Sequence, residues 1–325
     1  MSYRGIRGHD GPIALLKRAV AKGRVAHAYL FCGMDGIGKK KVATAFARAL
    51  LCRDARDGEG CGVCGTCLKI ERACHPDVLT LAPEGAFIKI GEIRGLMEMM
   101  ALHPLEGPRR VVIVDEADRM NPPAANALLK TLEEPTAANT LILVTSRPLQ
   151  LPPTILSRCQ RLTFSPLAAA EVALHLREEA GLDGETAAFL AAAAGGSIRH
   201  ALLLHKEGYL KRCEEIVLCA ADETRPRPLR VLSLISLLGR ERDNLAEALG
   251  ILKVFFRDAL VLAALGPEAP VVLRERRREA EGTAVRLGTK ALLRNCRLLD
   301  EALRLIEQNA NKTLTLETTV FKLAL

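Results

Sequence analysis

The sequence predicts an α/β fold, a mostly parallel sheet with helices on both faces, followed by all-helical regions. Three observations predict it. Short apolar segments alternate with helical patterns in the first half of the chain, a glycine-rich loop joins the first segment to a helix, and strand patterns fade after Pro166. Parallel strands need long crossovers, which helices usually supply, so this alternation favours a parallel sheet.

The strand and helix predictions follow from hydrophobic periodicity. The predicted strands are 28–32, 77–81, 110–114, 140–145 and, with a weaker pattern, 160–164. The predicted helices between them are 39–51, 91–102 and 124–134. Because ligands of such sheets bind at the carboxyl ends of the strands, we expect a binding site at that edge.

The composition is that of a globular protein long enough for two or three domains. Hydrophobic residues make up 49% of the 325 residues, and charged residues 26%. No apolar run approaches the roughly 20 residues of a membrane span, and no signal peptide is visible. We therefore expect a cytoplasmic protein without membrane contact, whose ten cysteines are free thiols or metal ligands.

The net charge of +8 has two interpretations. It suits a nucleic-acid partner, or it reflects a solvated basic surface. Aromatic residues are only 3% of the chain and tryptophan is absent, which argues against a base-stacking platform. Any contact with DNA would then be made to the phosphate backbone.

The glycine-rich loop, Gly33-Met-Asp-Gly36-Ile-Gly38-Lys39-Lys40, departs from the phosphate-binding pattern G-x-x-x-x-G-K-[ST] only at its last position. The glycines allow backbone N–H groups to wrap phosphates, and Lys39 would reach the terminal phosphates. The hydroxyl that Lys40 replaces normally binds magnesium, whereas an ammonium group has no acceptor atom for a cation. The sequence thus leaves open whether ATP and Mg²⁺ bind here.

Polar residues at two later strand ends fit the second half of a nucleotide site. Asp115 and Glu116 follow an apolar strand, as in a Walker B motif, where the first carboxylate supports magnesium and the second polarises the attacking water. Thr145 ends the next strand, so its hydroxyl is expected to face the γ-phosphate position. A plain polar strand end is the alternative.

Two arginines have both a functional and an ordinary interpretation. Arg158, in Ser157-Arg158-Cys159, could act as an arginine finger on a neighbouring subunit's phosphates, or be a surface arginine. Arg199 could close a helical lid onto a nucleotide, or form a salt bridge on a helix surface.

Four cysteines lie within sixteen residues, among glycines that permit tight turns: Cys52, Cys61, Cys64 and Cys67. Closely paired thiolates are what tetrahedral Zn²⁺ requires, and four protein ligands leave no open position for water. Four unrelated free cysteines would instead be expected in apolar surroundings. We therefore expect a structural zinc site, with Cys74 and His75 as less suitable alternative ligands.

Taken together, these residues resemble the bacterial clamp-loader AAA+ family of DNA polymerase III over essentially the whole chain. The features that carry the resemblance are the strand 27–31, the cysteine insertion, and the segments 115–118, 125–135, 157–159 and 309–317. The resemblance implies a RecA-like AAA+ domain at 1–165 with a zinc module at about 52–75, a helical lid at 166–206 and an all-α collar at 207–325.

The resemblance also implies partners. Five collars would form a hetero-pentameric ring with gamma/tau and delta subunits, which opens a sliding clamp and places it on primed DNA. Arg158 would be donated in trans to the ATP site of an adjacent gamma/tau subunit.

Lys40 separates two kinds of subunit within this family. The gamma/tau ATPases keep a hydroxyl residue there, and Thr44 cannot replace it because it lies about 6 Å further along the helix axis. The leading hypothesis is an assembly subunit of the DNA-directed DNA polymerase (nucleotidyltransferase) holoenzyme that hydrolyses little ATP itself. The alternatives are an active ATPase that uses Lys39, Asp115 and Glu116, and a zinc-dependent DNA-binding protein of unrelated mechanism.

Overall fold

The computed structural model describes residues 3–136, 138–239, 245–308 and 310–325. The chain divides into two compact units, Met1–Leu202 and Leu203–Leu325. Asn309, part of the C-terminal motif named above, lies outside the described residues. The division into three domains stays a prediction.

The first unit contains a five-stranded parallel sheet, as the sequence predicts. Its strands are β1 (Ala28–Cys32), β2 (Val78–Leu81), β3 (Arg110–Val114), β4 (Asn139–Thr145) and β5 (Gln160–Thr163). They lie in the order β2-β3-β4-β1-β5, and every neighbouring pair is parallel. The carboxyl ends of β1, β4 and β3 therefore lie side by side. This is the strand order of a RecA-like AAA+ domain, so the predicted fold class is confirmed.

Helices cover both faces of the sheet. Successive strand residues point to opposite faces, so each strand contributes side chains to two core clusters. On β1, Tyr29 and Phe31 join one core cluster, and Leu30 joins the other. The first cluster includes residues of α1 (Asp10–Ala21), α2 (Lys39–Leu51) and α3 (Gly65–Glu71). The second includes residues of α4 (Ile90–Ala101), α5 (Pro122–Glu133) and α6 (Pro153–Leu156). Strands β1, β3 and β4 are buried throughout, which is typical of a doubly covered parallel sheet.

A buried ion pair holds the amino end of β3. Asp77 and Arg110 are both buried, and Asp77 Oδ1 lies 3.3 Å from Arg110 Nη2. The Asp77 carboxylate also accepts the backbone N–H groups of residues 105–107 at 2.7–2.9 Å. The guanidinium donates to the carbonyls of Leu102 and His103. This cluster fastens the loop between α4 and β3 to the sheet.

The region after Pro166 is helical, as predicted. It contains α7 (Ala169–Ala180), α8 (Gly184–Ala193) and α9 (Ile198–Lys206). Gly181 ends α7 with a φ of 67°, a conformation that glycine adopts without strain. The side chain of Asp183 then accepts the N–H groups of Glu185 and Thr186 and so begins α8.

The second unit is all-helical, again as predicted. Its helices are α10 (Tyr209–Ala221), α11 (Arg227–Gly239), α12 (Leu245–Leu265), α13 (Arg277–Glu307) and α14 (Lys312–Lys322). Gly288, with φ 68° and ψ 167°, interrupts α13 with a kink.

Within the described ranges, no single helix has the length and apolar character needed to cross a membrane; one bent pair, Gly184–Ala193 with Ile198–Lys206, meets those two criteria alone.

Candidate nucleotide-binding site and cysteine cluster

The glycine-rich loop runs from β1 into α2, as predicted. Gly36 has a φ of 74° and Gly38 a φ of 102°, so both adopt conformations that favour glycine. A Cβ at Gly36 would also collide with the side chains of Ser197 and Arg199 at the start of α9. Gly33 approaches the carbonyl of Phe164 in the same way. The glycines thus permit both the loop conformation and the close approach of α9.

Lys39 is buried at the base of this loop. Its ammonium donates to the carbonyls of Gly33, at 2.7 Å, and Met34, at 2.6 Å. Burial lowers the pKa of Lys39, although the carboxylates of Asp35 and Asp115 act in the opposite direction. In this structure the lysine of the motif therefore binds carbonyls of its own loop.

Lys40 forms an ion pair with the Walker B carboxylate. Its Nζ lies 3.1 Å from Asp115 Oδ2, with the lysine side chain about half exposed and the aspartate mostly buried. Position 40 offers no oxygen ligand, and Asp115 already binds an ammonium group. The residues present therefore do not fit the magnesium site of an ordinary phosphate-binding loop.

The other predicted residues at the strand ends form internal contacts. Glu116 has a positive φ of 48°, and its carboxylate lies 2.7 Å from Arg119 Nη1. The Thr145 hydroxyl donates to Asp118 Oδ1 at 2.6 Å, and the Ser146 N–H donates to the same oxygen at 3.2 Å. Thr145 thus holds a neighbouring carboxylate. Asp118 was not predicted as a site residue; its position three residues after Asp115 is the signal that could have indicated it.

These residues surround one cavity of about 540 Å³ at the carboxyl edge of the sheet. Its lining includes Asp35, Lys39, Asp115, Asp118 and Thr145. The structure therefore brings together the predicted loop and both predicted strand ends.

Arg199 reaches the same loop from α9. Its backbone N–H donates to the Gly36 carbonyl at 3.3 Å, and its guanidinium lies 3.2 Å from Asp35 Oδ2. Both side chains of this pair are about two-thirds exposed. The contact is a surface salt bridge, formed with the glycine-rich loop, and the closure of Arg199 onto a nucleotide stays a prediction.

Arg158 lies away from this cavity. It follows the short helix α6, and its guanidinium is bound by Glu133 Oε1 at 2.9 Å and by the Thr154 carbonyl at 3.0 Å. The side chain is about one-third exposed and is not among the described residues that line the cavity. Its guanidinium is thus oriented by α5 and α6 and remains open to solvent.

The four predicted cysteines converge. All four Sγ atoms lie within 4.8 Å of one another, and the pairs Cys52–Cys64 and Cys61–Cys67 are each 3.9 Å apart. A tetrahedral Zn²⁺ with bonds of about 2.3 Å separates its sulfur ligands by about 3.8 Å. The cluster therefore has the donor atoms and the spacing for a metal ion such as zinc.

The thiols of the cluster differ in pKa because their surroundings differ. Backbone N–H groups of Val63 and Cys64 lower the pKa of Cys61 to about 6. Burial raises the pKa values of Cys52 and Cys67. A bound cation would stabilise the thiolate form of every ligand, so metal binding to this cluster would release protons.

The cysteine segment is attached to the loop helix α2. The Arg48 side chain on α2 is buried, and its guanidinium lies 3.7 Å from Glu71 at the end of α3. Gly60 lies so close to Arg48 that a Cβ there would overlap its side chain. The segment therefore packs on the helix that begins with Lys39 and Lys40.

Known proteins similar in sequence to this chain are subunits of DNA polymerase III. A family model described as DNA polymerase III, delta subunit, matches residues 8–168. The delta' subunit of Bacillus subtilis is 39% identical over 165 residues, which are 51% of this chain and 50% of that protein. The delta' subunit of Pseudomonas aeruginosa is 37% identical over 207 residues, 63% of each chain. Residues 8–168 of this chain thus match the DNA polymerase III clamp-loader family.

Other members of the clamp-loader family match a similar share of the chain. The tau subunit of Escherichia coli is 33% identical over 208 residues, which are 62% of this chain and 32% of tau. The matched regions thus cover only 50% and 63% of the two delta' relatives, and about a third of tau.

Solved structures give weaker similarities. A gamma-subunit-related protein of Thermotoga maritima is 20% identical, with a TM-score of 0.45, and the match covers 95% of this chain and 97% of that one. The Thermotoga maritima Holliday junction branch migration motor RuvB is 20% identical, with a TM-score of 0.44, over 73% and 72%. TM-scores this low indicate nothing about activity.

Proposed function

We propose that this chain is a delta-prime-type subunit of a clamp loader, the assembly subunit that the sequence favours. It would act with gamma/tau and delta subunits in a hetero-pentameric ring in the cytoplasm, which places a sliding clamp on primed DNA. The delta' relatives support this proposal. In it, residues 166–206 serve as the lid and 207–325 as the collar through which the subunits assemble.

The observation that carries the proposal is the ion pair between Lys40 and Asp115. Hydrolysis in phosphate-binding-loop enzymes depends on a metal ion held by the loop hydroxyl and the Walker B carboxylate. Here the hydroxyl is replaced and the carboxylate is paired with the replacement. Glu116, the candidate for polarising the attacking water, is bound by Arg119. We therefore expect little ATP hydrolysis by this subunit itself.

We propose that Arg158 acts at the ATP site of a neighbouring subunit. It lies outside the chain's own cavity, and Glu133 and the Thr154 carbonyl orient its guanidinium. An arginine finger supplied in trans stabilises the charge of the phosphoryl-transfer transition state and contributes about 10³–10⁵ to the rate. The Ser157-Arg158-Cys159 triplet makes Arg158 the residue to test.

The test uses a loader reconstituted from this chain and its gamma/tau-type and delta-type partners. With Arg158→Ala, we expect hydrolysis at the adjacent site to fall by about 10³–10⁵, so that total ATPase activity falls by that site's share. Arg177→Ala, a change at an exposed arginine on α7, is the matched control and should have no effect. Single-turnover hydrolysis that is the same in both variants would refute the role in trans.

An active ATPase of the gamma/tau kind is the second candidate function. It is favoured by the cavity in which Lys39, Asp115 and Thr145 meet. ATP turnover by the isolated chain separates the two candidates.

We propose Zn²⁺ as the metal of the cysteine cluster, in a structural role. The 3.9 Å sulfur separations and the all-thiolate donor set support zinc. Metal analysis should find about one zinc ion per chain, and none in Cys61→Ser or Cys64→Ser variants. Cys219→Ser, at a half-buried thiol outside the cluster, should keep the metal. Less than about half an ion per wild-type chain would contradict the assignment.

A further inference from the structure

The loop retains the features that bind phosphate while lacking those that bind magnesium. Gly36 and Gly38 keep their positive φ angles, and no backbone N–H of residues 35–38 donates a hydrogen bond within the described part of the chain. Free N–H groups of this kind, at the start of a helix, attract phosphate oxygens. Lys39 lies beside them and lines the cavity. The phosphate-binding half of the site therefore keeps its backbone donors and its lysine, whose ammonium would exchange the carbonyls of Gly33 and Met34 for phosphate oxygens.

The cation-binding half is replaced. The Lys40 ammonium lies 3.1 Å from Asp115 Oδ2, so the carboxylate already has a positive partner. The nearest hydroxyl in sequence, that of Thr44, donates to the Lys40 carbonyl at 3.0 Å and lies a helical turn further on. A magnesium ion placed beside Asp115 would meet an ammonium group instead of an oxygen ligand, and the two positive charges would repel each other.

We propose that Lys40 supplies, as an ammonium group, the positive charge that a divalent cation supplies in other phosphate-binding loops, so that this loop binds a nucleoside diphosphate or triphosphate without a divalent cation. Lys39 and the loop N–H groups hold the phosphates, and Lys40 balances Asp115, which would otherwise repel them. The inference concerns the chain's own loop and does not depend on the role of Arg158 in trans.

The test is the affinity of the isolated, full-length chain for ADP, measured by calorimetry with Mg²⁺ and with EDTA. For the wild type, the two dissociation constants should agree within about twofold. Lys40→Ser restores the hydroxyl and frees Asp115, so its affinity should rise at least about tenfold when Mg²⁺ is added. Lys41→Ser is the matched control, since Lys41 is the next residue and has no ion pair within the described chain; it should behave as the wild type does.

A second measurement does not depend on the affinities. Mn²⁺, followed by electron paramagnetic resonance with ADP present, should bind to the Lys40→Ser variant and not to the wild type. A wild-type affinity for ADP that rises about tenfold or more with Mg²⁺ would overturn the proposal. So would the absence of ADP binding by the folded wild type, in either buffer, at roughly 1 mM ADP. Neither outcome affects the test of Arg158, so the two proposals fail separately.

Discussion

An ion pair between an aspartate and a basic residue lies at each end of β3, and the two pairs differ in their surroundings. At the amino end, Asp77 and Arg110 are both buried. At the carboxyl end, Lys40 and Asp115 meet at the edge of a cavity, and the lysine is about half exposed. The buried pair lies within a network that fixes a loop, whereas the exposed pair sets the charge where a ligand would bind. Similar ionic groups thus serve the fold at one end of β3 and the candidate site at the other.

The surroundings explain this division. A buried charge must have its hydrogen bonds satisfied, because leaving it unpaired in the interior is costly. Asp77 meets this requirement with three backbone N–H groups in addition to Arg110. A partly exposed pair is screened by water and contributes little to stability, so its residues are free to be selected for ligand binding.

The largest effect on stability is expected for Asp77→Asn. The change removes the charge that neutralises the buried Arg110, and we expect a loss of about 3–5 kcal/mol in the free energy of unfolding. Urea denaturation measures it. Asp300→Asn, at an exposed pair with Lys253, is the control and should cost less than about 1 kcal/mol. Equal losses in the two variants would remove the distinction between buried and exposed pairs.

The pH dependence of the free energy of unfolding tests the same role of the buried Asp77. Burial by itself raises the pKa of Asp77. The backbone N–H groups of residues 105–107 and the Arg110 guanidinium stabilise the carboxylate and outweigh burial, so the pKa of Asp77 is lowered. A lowered pKa in the folded state stabilises the fold above the unfolded value of about 3.9, and this stabilisation is lost as the pH falls further. We expect stability to fall below about pH 4, and to fall less steeply in Asp77→Asn. Parallel curves for the two proteins would show that Asp77 is not the responsible group.

The smallest effect on stability is expected for Lys40→Met. The substitution keeps the aliphatic part of the side chain and removes only the ammonium that contacts Asp115. We expect a change of less than about 1 kcal/mol in the free energy of unfolding. A loss above about 2 kcal/mol would mean that this pair, like the buried one, is part of what holds the sheet together.

Local sequence patterns predicted much of this architecture. The apolar runs at 28–32 and 110–114 coincide with β1 and β3, and the cysteine spacing predicted the cluster that the structure forms. Helix α5 begins two residues before its predicted start because Asn121 caps it and proline follows. These features depend on residues that are near one another in the chain.

The pairings between distant residues were not predictable in the same way. Lys40 with Asp115, Asp77 with Arg110, and Thr145 with Asp118 each join residues brought together only by strand order. The sequence indicated that Lys40 could not bind magnesium. Only the structure shows that the loop after β1 and the end of β3 lie close together, so that the Lys40 ammonium contacts the Asp115 carboxylate.

The central claim is that this subunit promotes ATP hydrolysis at a neighbouring site and hydrolyses little ATP itself. Its most direct test is steady-state ATP hydrolysis by the isolated chain in the presence of Mg²⁺. We predict no turnover above background, because the loop hydroxyl is absent and Lys40 binds Asp115. Turnover comparable to that of a working clamp-loader ATPase, and lost in Lys39→Ala, would contradict the account and establish an active ATPase instead.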